Sequence, residues 1–271
     1  MVRGSRIAGT VAIASLVLVG GAATAGAVEA TTHDNPTTYD NYVALGDSYA
    51  SGVGAGEYGD SGDCKRSANA YPQLYADAGG IGDFRSVACL GANTHDVRAQ
   101  ADSLSADTDL VTLSVGGNDA GFVDVMIDCT TSFDQGCIDR VDEAKEFADT
   151  TLPGLLDGVY DEIRANAPDA EVFVFGYPRF YEIDGSCNAG LSDTKRAAIN
   201  SGADALAETI SERARAAGFT FVDVRDDFAG HEICSDDWWM RSVTWPIDES
   251  YHPTATGHEL GYLPALQAAA G

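Results

Sequence analysis

Two stretches far apart in the chain hold side chains suited to nucleophilic catalysis: Ser48 in YVALGDSYASG, residues 42–52, and His252 in ESYHPTATGH, residues 249–258. A serine hydroxyl attacks an acyl carbon when a base takes its proton, another group orients that base, and donors hold the oxyanion that forms. Ser48 follows an apolar run and then Gly46-Asp47, the pattern of a strand ending in a sharp turn that leaves a small hydroxyl at the rim of a sheet. Gly, Asp and Ser also dominate ordinary turns, so the tripeptide alone does not decide. Histidines stand at 33, 95, 231, 252 and 258. His252 immediately precedes Pro253 in a loop that enters a helix. The proline keeps the backbone before it extended and leaves the ring free to point at a site, which makes His252 the candidate base.

These side chains can act together only if the fold delivers them to one edge. Short runs rich in Val, Phe and Leu alternate with helical stretches, the signature of a parallel sheet covered on both faces. Strands are expected at Tyr42–Leu45, Phe84–Cys89, Leu110–Val115, Glu171–Phe175 and Phe219–Val224. Helices are expected at Ala70–Ala78, Thr94–Ala101, Phe122–Asp128, Ile138–Ala165 with a break near Pro153, Asp193–Ala217 and Thr254–Ala269, the last kinked or cut short by Pro264. The β-α-β order predicts a three-layer α/β/α sandwich with a five-stranded, mostly parallel, flavodoxin-like sheet. Sites in such sheets lie at the carboxyl ends of the strands. The first strand ends in Gly46-Asp47-Ser48, the second in Cys89-Leu90-Gly91-Ala92-Asn93 and the third in Gly116-Gly117-Asn118-Asp119. Three strands thus bring small residues and hydrogen-bond donors to one edge.

This spread of motifs resembles the SGNH hydrolases, also called GDSL lipases and esterases, and is most like their secreted actinobacterial members. The matching blocks are Gly46-Asp47-Ser48, Gly91, Gly116-Gly117-Asn118-Asp119 and Glu249-Ser250-Tyr251-His252, in the family's order and across nearly the whole chain. The resemblance implies hydrolysis of carboxylic esters, with Ser48 as nucleophile and His252 as base. The N–H groups of Ser48 and Gly91 and the amide of Asn118 would form the oxyanion hole. No metal or cofactor is implied. The acid three residues before the histidine is Glu249 where the family has Asp, so its carboxylate, the main-chain carbonyl at that position or the adjacent Asp248 would orient the ring, with Glu249 the favoured one. Asp47 is expected to hold the turn rather than join the triad. The resemblance also implies disulfides in chain order, Cys64 with Cys89, Cys129 with Cys137 and Cys187 with Cys234. The substrate is expected to be a small-molecule or lipid ester. A carbohydrate O-deacetylase or phospholipase would use the same site, and a non-catalytic secreted binding protein would use the motifs only as turns. Trp238, Trp239 and Trp245 would either wall a pocket or pack beneath the catalytic loop.

Composition narrows the setting. Residues 1–30 read as an export signal, with Arg3 and Arg6 ahead of an apolar, small-residue run; Gly and Ala dilute that run, and no second apolar span follows to anchor the chain in a membrane. Residues 31–271 then form one hydrolase domain, expected to be a secreted monomer. Sixteen basic residues against 42 acidic give a net charge of −26, which repels phosphate backbones and excludes nucleic acid as a natural partner. Six cysteines in an exported chain read as three disulfides, and without a CxxC pair they do not suggest zinc.

Overall fold

The computed structural model describes residues 38–271 apart from 186, 188 and 189, so the expected export segment lies outside the described residues. Five strands, β1 (Asn41–Ala44), β2 (Asp83–Ser86), β3 (Leu110–Leu113), β4 (Glu171–Phe175) and β5 (Thr220–Val222), pair in the order β2-β1-β3-β4-β5. Every pairing is parallel, with Tyr42 opposite Phe84 on one side and Leu110 on the other. The inner strands are largely apolar because both faces are covered: every residue of β3 is buried, with Thr112 its one polar side chain. Edge strand β2, by contrast, alternates exposed and half-buried residues.

Strand β2 is shorter than its apolar run predicts. Beyond Ser86 the chain still follows the sheet, Val87 N donating to Ala44 O at 2.9 Å and Cys89 N to Gly46 O at 3.0 Å. It therefore runs beside the Gly46 turn and brings Gly91 toward Ser48.

The helices are α1 (Ser48–Ser51), α2 (Tyr71–Gly79), α3 (Thr94–Gln100), α4 (Phe122–Thr131), α5 (Asp134–Thr150), α6 (Leu152–Asn166), α7 (Asp193–Ala216) and α8 (Leu263–Ala270). Helices α2 and α8 pack together on one face; α3, α6 and α7 pack in series on the other, with α5 against α7 and α4 against α5. The break expected near Pro153 separates two helices, and the proline sits in the first turn of α6, where a missing N–H costs nothing. The last helix is also divided. Gly257–Tyr262 form a π-helical turn, and Pro264 occupies the first turn of α8.

Three disulfides, Cys64–Cys89, Cys129–Cys137 and Cys187–Cys234, join the cysteines in chain order. The first ties the segment before Gly91 to the loop after α1. The second clasps the junction of α4 and α5. Among the described residues no helix is long and apolar enough to cross a membrane.

Candidate active site

Gly46 makes the turn that presents Ser48. Its φ of 121° lies in a region costly for other residues, and a Cβ there would come within 2.6 Å of the Ser114 carbonyl oxygen. The Gln100 side chain grips both its main-chain groups, accepting from Gly46 N at 2.6 Å and donating to Gly46 O at 2.9 Å. Asp47 follows, its N–H bonded to Ser114 O at 3.0 Å, and caps α1 by accepting from Tyr49 N at 3.0 Å. The buried Asp47 carboxylate also accepts from Ser114 Oγ at 2.6 Å and from the Tyr177 hydroxyl. Burial pushes its pKa up to about 6 although these donors pull it down. Asp47 thus holds the turn from beneath while Ser48 begins the helix above it.

His252 Nε2 lies 2.7 Å from Ser48 Oγ, and its Nδ1 lies 2.9 Å from Ser250 O. A carbonyl can only accept, so Nδ1 carries the proton and Nε2 presents a lone pair to the serine hydroxyl. Tyr251, between Ser250 and His252, has a left-handed backbone with φ 63°, which folds the Ser250 carbonyl back onto the ring. That turn is fastened on both sides. Tyr251 N donates to Arg241 O at 3.0 Å, Arg241 N to His252 O at 2.8 Å, and the Tyr49 hydroxyl to Tyr251 O at 2.7 Å. Burial lowers the His252 pKa to about 4, against the opposing pull of the Ser250 carbonyl.

Glu249 is not brought to the imidazole, which corrects the expectation that its carboxylate orients the base. It closes a single 3₁₀ turn, Ile247–Glu249, and its carboxylate is directed away, accepting from the Tyr58 hydroxyl at 2.8 Å and lying 3.6 Å from Arg241 Nε. The position that an acid would fill is taken by a main-chain carbonyl, one residue later in the chain than expected.

Ser48, Gly91, Asn118 and His252 line one cleft of about 490 Å³. Gly91 has φ 78° and open space where a Cβ would stand, so its N–H can be approached closely. Asn118 Nδ2 donates to Ala92 O at 2.8 Å, which points the amide toward the Gly91 segment and leaves it a second N–H. Neighbouring Asp119 pins the loop by accepting from Thr94 N at 3.0 Å and Thr94 Oγ1 at 2.6 Å. Gly117 N donates to the Tyr177 hydroxyl at 3.2 Å, so Tyr177 bridges the nucleophile turn and the asparagine loop.

The cleft walls are largely apolar, from Leu90, Phe122 and Met126. A narrower apolar cavity also starts at Ser48 and Asn118 and passes between α4, α5 and α7, by Val125, Val141, Ala148, Ile199 and Gly202.

The other histidines among the described residues stay away from Ser48, and His33 lies outside them. His95 is exposed, His231 stacks on Trp239 with ring centroids 3.6 Å apart, and His258 is buried against Tyr71 and Tyr262. Trp239 is therefore packing rather than pocket wall, while Trp245 stands in solvent. Ser250 and Tyr251 fall within the Glu249–His252 block, but the sequence assigns no role to either of them or to Tyr177, since a main-chain acceptor has no side-chain signature.

Residues 44–260 match the GDSL-like Lipase/Acylhydrolase family. The chain belongs to that family. Lipase 1 of Streptomyces coelicolor is 52% identical to this GDSL-like hydrolase over 261 residues, 95% of this chain and 97% of the relative. The crystal structure of phospholipase A1 from Streptomyces albidoflavus NA297 superposes with a TM-score of 0.82 at 53% identity, covering 85% of this chain and 99% of that one. The extracellular lipase of Streptomyces rimosus gives a TM-score of 0.83 at 51% identity, covering 84% and 99%. Membership makes the chain a carboxylic ester hydrolase, with its motif residues gathered at the carboxyl edge of a parallel sheet.

Proposed function

We propose that the chain cleaves lipid carboxylic esters through a covalent Ser48 acyl-enzyme. The observation that carries this reading is the 2.7 Å contact between Ser48 Oγ and an imidazole nitrogen whose opposite face is already occupied by the Ser250 carbonyl. His252 Nε2 takes the hydroxyl proton as Oγ bonds to the ester carbon. The former carbonyl oxygen becomes an oxyanion, held by the N–H groups of Ser48 and Gly91 and by Asn118 Nδ2. Collapse of that tetrahedral species breaks the bond to the leaving alcohol, which receives the proton from His252. Water, deprotonated by the same nitrogen, then releases the carboxylic acid and restores Ser48. Throughout, the Ser250 carbonyl favours the imidazolium that forms twice per turnover.

The apolar lining of both cavities suits acyl chains better than the hydroxyl-rich face of a sugar, which favours a lipid ester over a carbohydrate O-deacetylase. Relatives named as lipases and as a phospholipase A1 agree with that class of substrate. The extracellular S. rimosus relative and the apolar amino terminus support export, and a site complete within one chain supports action as a monomer.

The test is covalent labelling with a fluorophosphonate beside a panel of p-nitrophenyl esters, acetylated sugars and phospholipids. The expected result is stoichiometric labelling that Ser48→Ala abolishes, with hydrolysis of the p-nitrophenyl esters and phospholipids and not of the acetylated sugars. Labelling that survives Ser48→Ala would refute the assignment of the nucleophile.

A further inference from the structure

The mouth of the catalytic cleft is ringed by side chains that ordinarily avoid water. Val123 and Ile127 on α4 form one side, Val243 and Ile247 the other; all four line the cleft and all are exposed. Trp245 stands between the last two on the same loop and is 86% exposed. Several polar side chains at the mouth are turned inward or paired. Asp248 bonds Lys65 at 2.7 Å, Glu249 faces Tyr58, and the hydroxyls of Thr130 and Thr131 donate back to their own helix at 2.7 and 2.9 Å. The rim therefore presents hydrocarbon in a chain whose net charge is −26.

We propose that this rim is a docking surface for lipid aggregates without net charge, the face of a zwitterionic bilayer or a micelle. Exposed apolar patches of this kind mark interaction surfaces, and a tryptophan ring suits the depth where headgroups meet acyl chains. The position of the patch selects its occupant. A protein partner or a second copy seated there would cover the cleft, whereas a lipid surface flush with the mouth passes an acyl chain to Ser48 without exposing it to water. The net negative charge disfavours an anionic bilayer.

The proposal rests on the ester-hydrolase reading of the site, so binding is measured apart from turnover. Ser48→Ala protein is expected to co-sediment with sucrose-loaded phosphatidylcholine vesicles and to bind phosphatidylglycerol vesicles less well. Adding Trp245→Ala should weaken the partition by about tenfold or more, the loss of one buried aromatic side chain. With Ser48 intact, Trp245→Ala should keep turnover of a dissolved short-chain ester and lose turnover on vesicles. Docking is overturned if Ser48→Ala protein does not bind phosphatidylcholine, if Trp245→Ala leaves binding unchanged, if phosphatidylglycerol binds better, or if sedimentation reveals a dimer that Trp245→Ala dissociates. A chain that binds vesicles and hydrolyses no ester would instead overturn the catalytic reading and leave docking standing.

Discussion

The main-chain oxygen of Ser250 lies 2.9 Å from Nδ1 of His252, where a serine hydrolase ordinarily places a carboxylate. A carbonyl fixes the tautomer as a carboxylate does but brings no full charge. The imidazole is therefore oriented by backbone geometry, and that geometry is set by the left-handed Tyr251.

Glu249 should therefore be dispensable for catalysis. Glu249→Gln and Glu249→Ala are expected to keep turnover within about threefold, against the roughly 10⁴-fold loss that follows when a triad carboxylate is neutralised. Steady-state kinetics on a soluble ester checks this, and a loss beyond about 100-fold would return Glu249 to the ring.

The pH profile should lie further into acid than a free imidazole would put it. His252 accepts a proton only when neutral, and burial lowers its pKa from 6.5 to about 4. The base is thus competent above that value, and kcat/KM should fall as pH drops through about 4. Stability moves the same way. The unfolded imidazole binds its proton near 6.5 and the folded one near 4, so folding free energy is lost as pH falls between them. A profile that breaks at the free-imidazole value would contradict a desolvated base.

Asn118 offers a cleaner separation of binding from chemistry. Its amide is held by Ala92 O in the ground state and is assigned to the oxyanion only in the transition state. Asn118→Ala is expected to lower kcat by about 100-fold to 1,000-fold with little change in KM. A rise in KM at unchanged kcat would make Asn118 a ground-state contact.

Chain-length preference should be set where α5 meets α7. A Cβ on Gly202 would stand 3.3 Å from Val141 Cγ1, beside the narrow cavity that leads from Ser48. Gly202→Val should shorten that cavity and lower kcat/KM for long-chain p-nitrophenyl esters by about tenfold or more relative to the acetate. An equal loss at every chain length would mean the cavity does not receive the acyl group.

How much of this could be read in advance follows from where the information sits. The serine turn was legible because a doubly covered strand is largely apolar and a rim nucleophile must be small, and YVALGDS satisfies both. Gly91 and Asn118 were expected in the segments that follow β2 and β3, and their oxyanion role came from the family resemblance rather than from strand pattern. The orienting group was not legible, because a carbonyl belongs to every residue and Tyr251 adopts a backbone that tyrosine does not favour. Pro264 marked an irregularity in the last helix but not its form, a π-helical turn ahead of a proline in the first turn of α8. Tyr177 was illegible for a different reason: its role depends on Asp47 and Gly117, which only the folded sheet brings to it.

Tyr177 therefore carries the last prediction. Its hydroxyl donates to the Asp47 carboxylate and accepts from Gly117 N, so Tyr177→Phe strands one buried acceptor and one buried donor. The variant should lose about 1–3 kcal/mol for each stranded group at neutral pH. The lost donor favours the ionised carboxylate, so its removal raises an Asp47 pKa already lifted by burial to about 6. Between the wild-type and variant pKa values the variant's native state then binds the extra proton, and its deficit in stability should widen as pH rises through about 6. Urea unfolding of both proteins at pH 5 and pH 8 measures that difference directly. A deficit that does not change with pH would mean that Asp47 is not the charge Tyr177 holds.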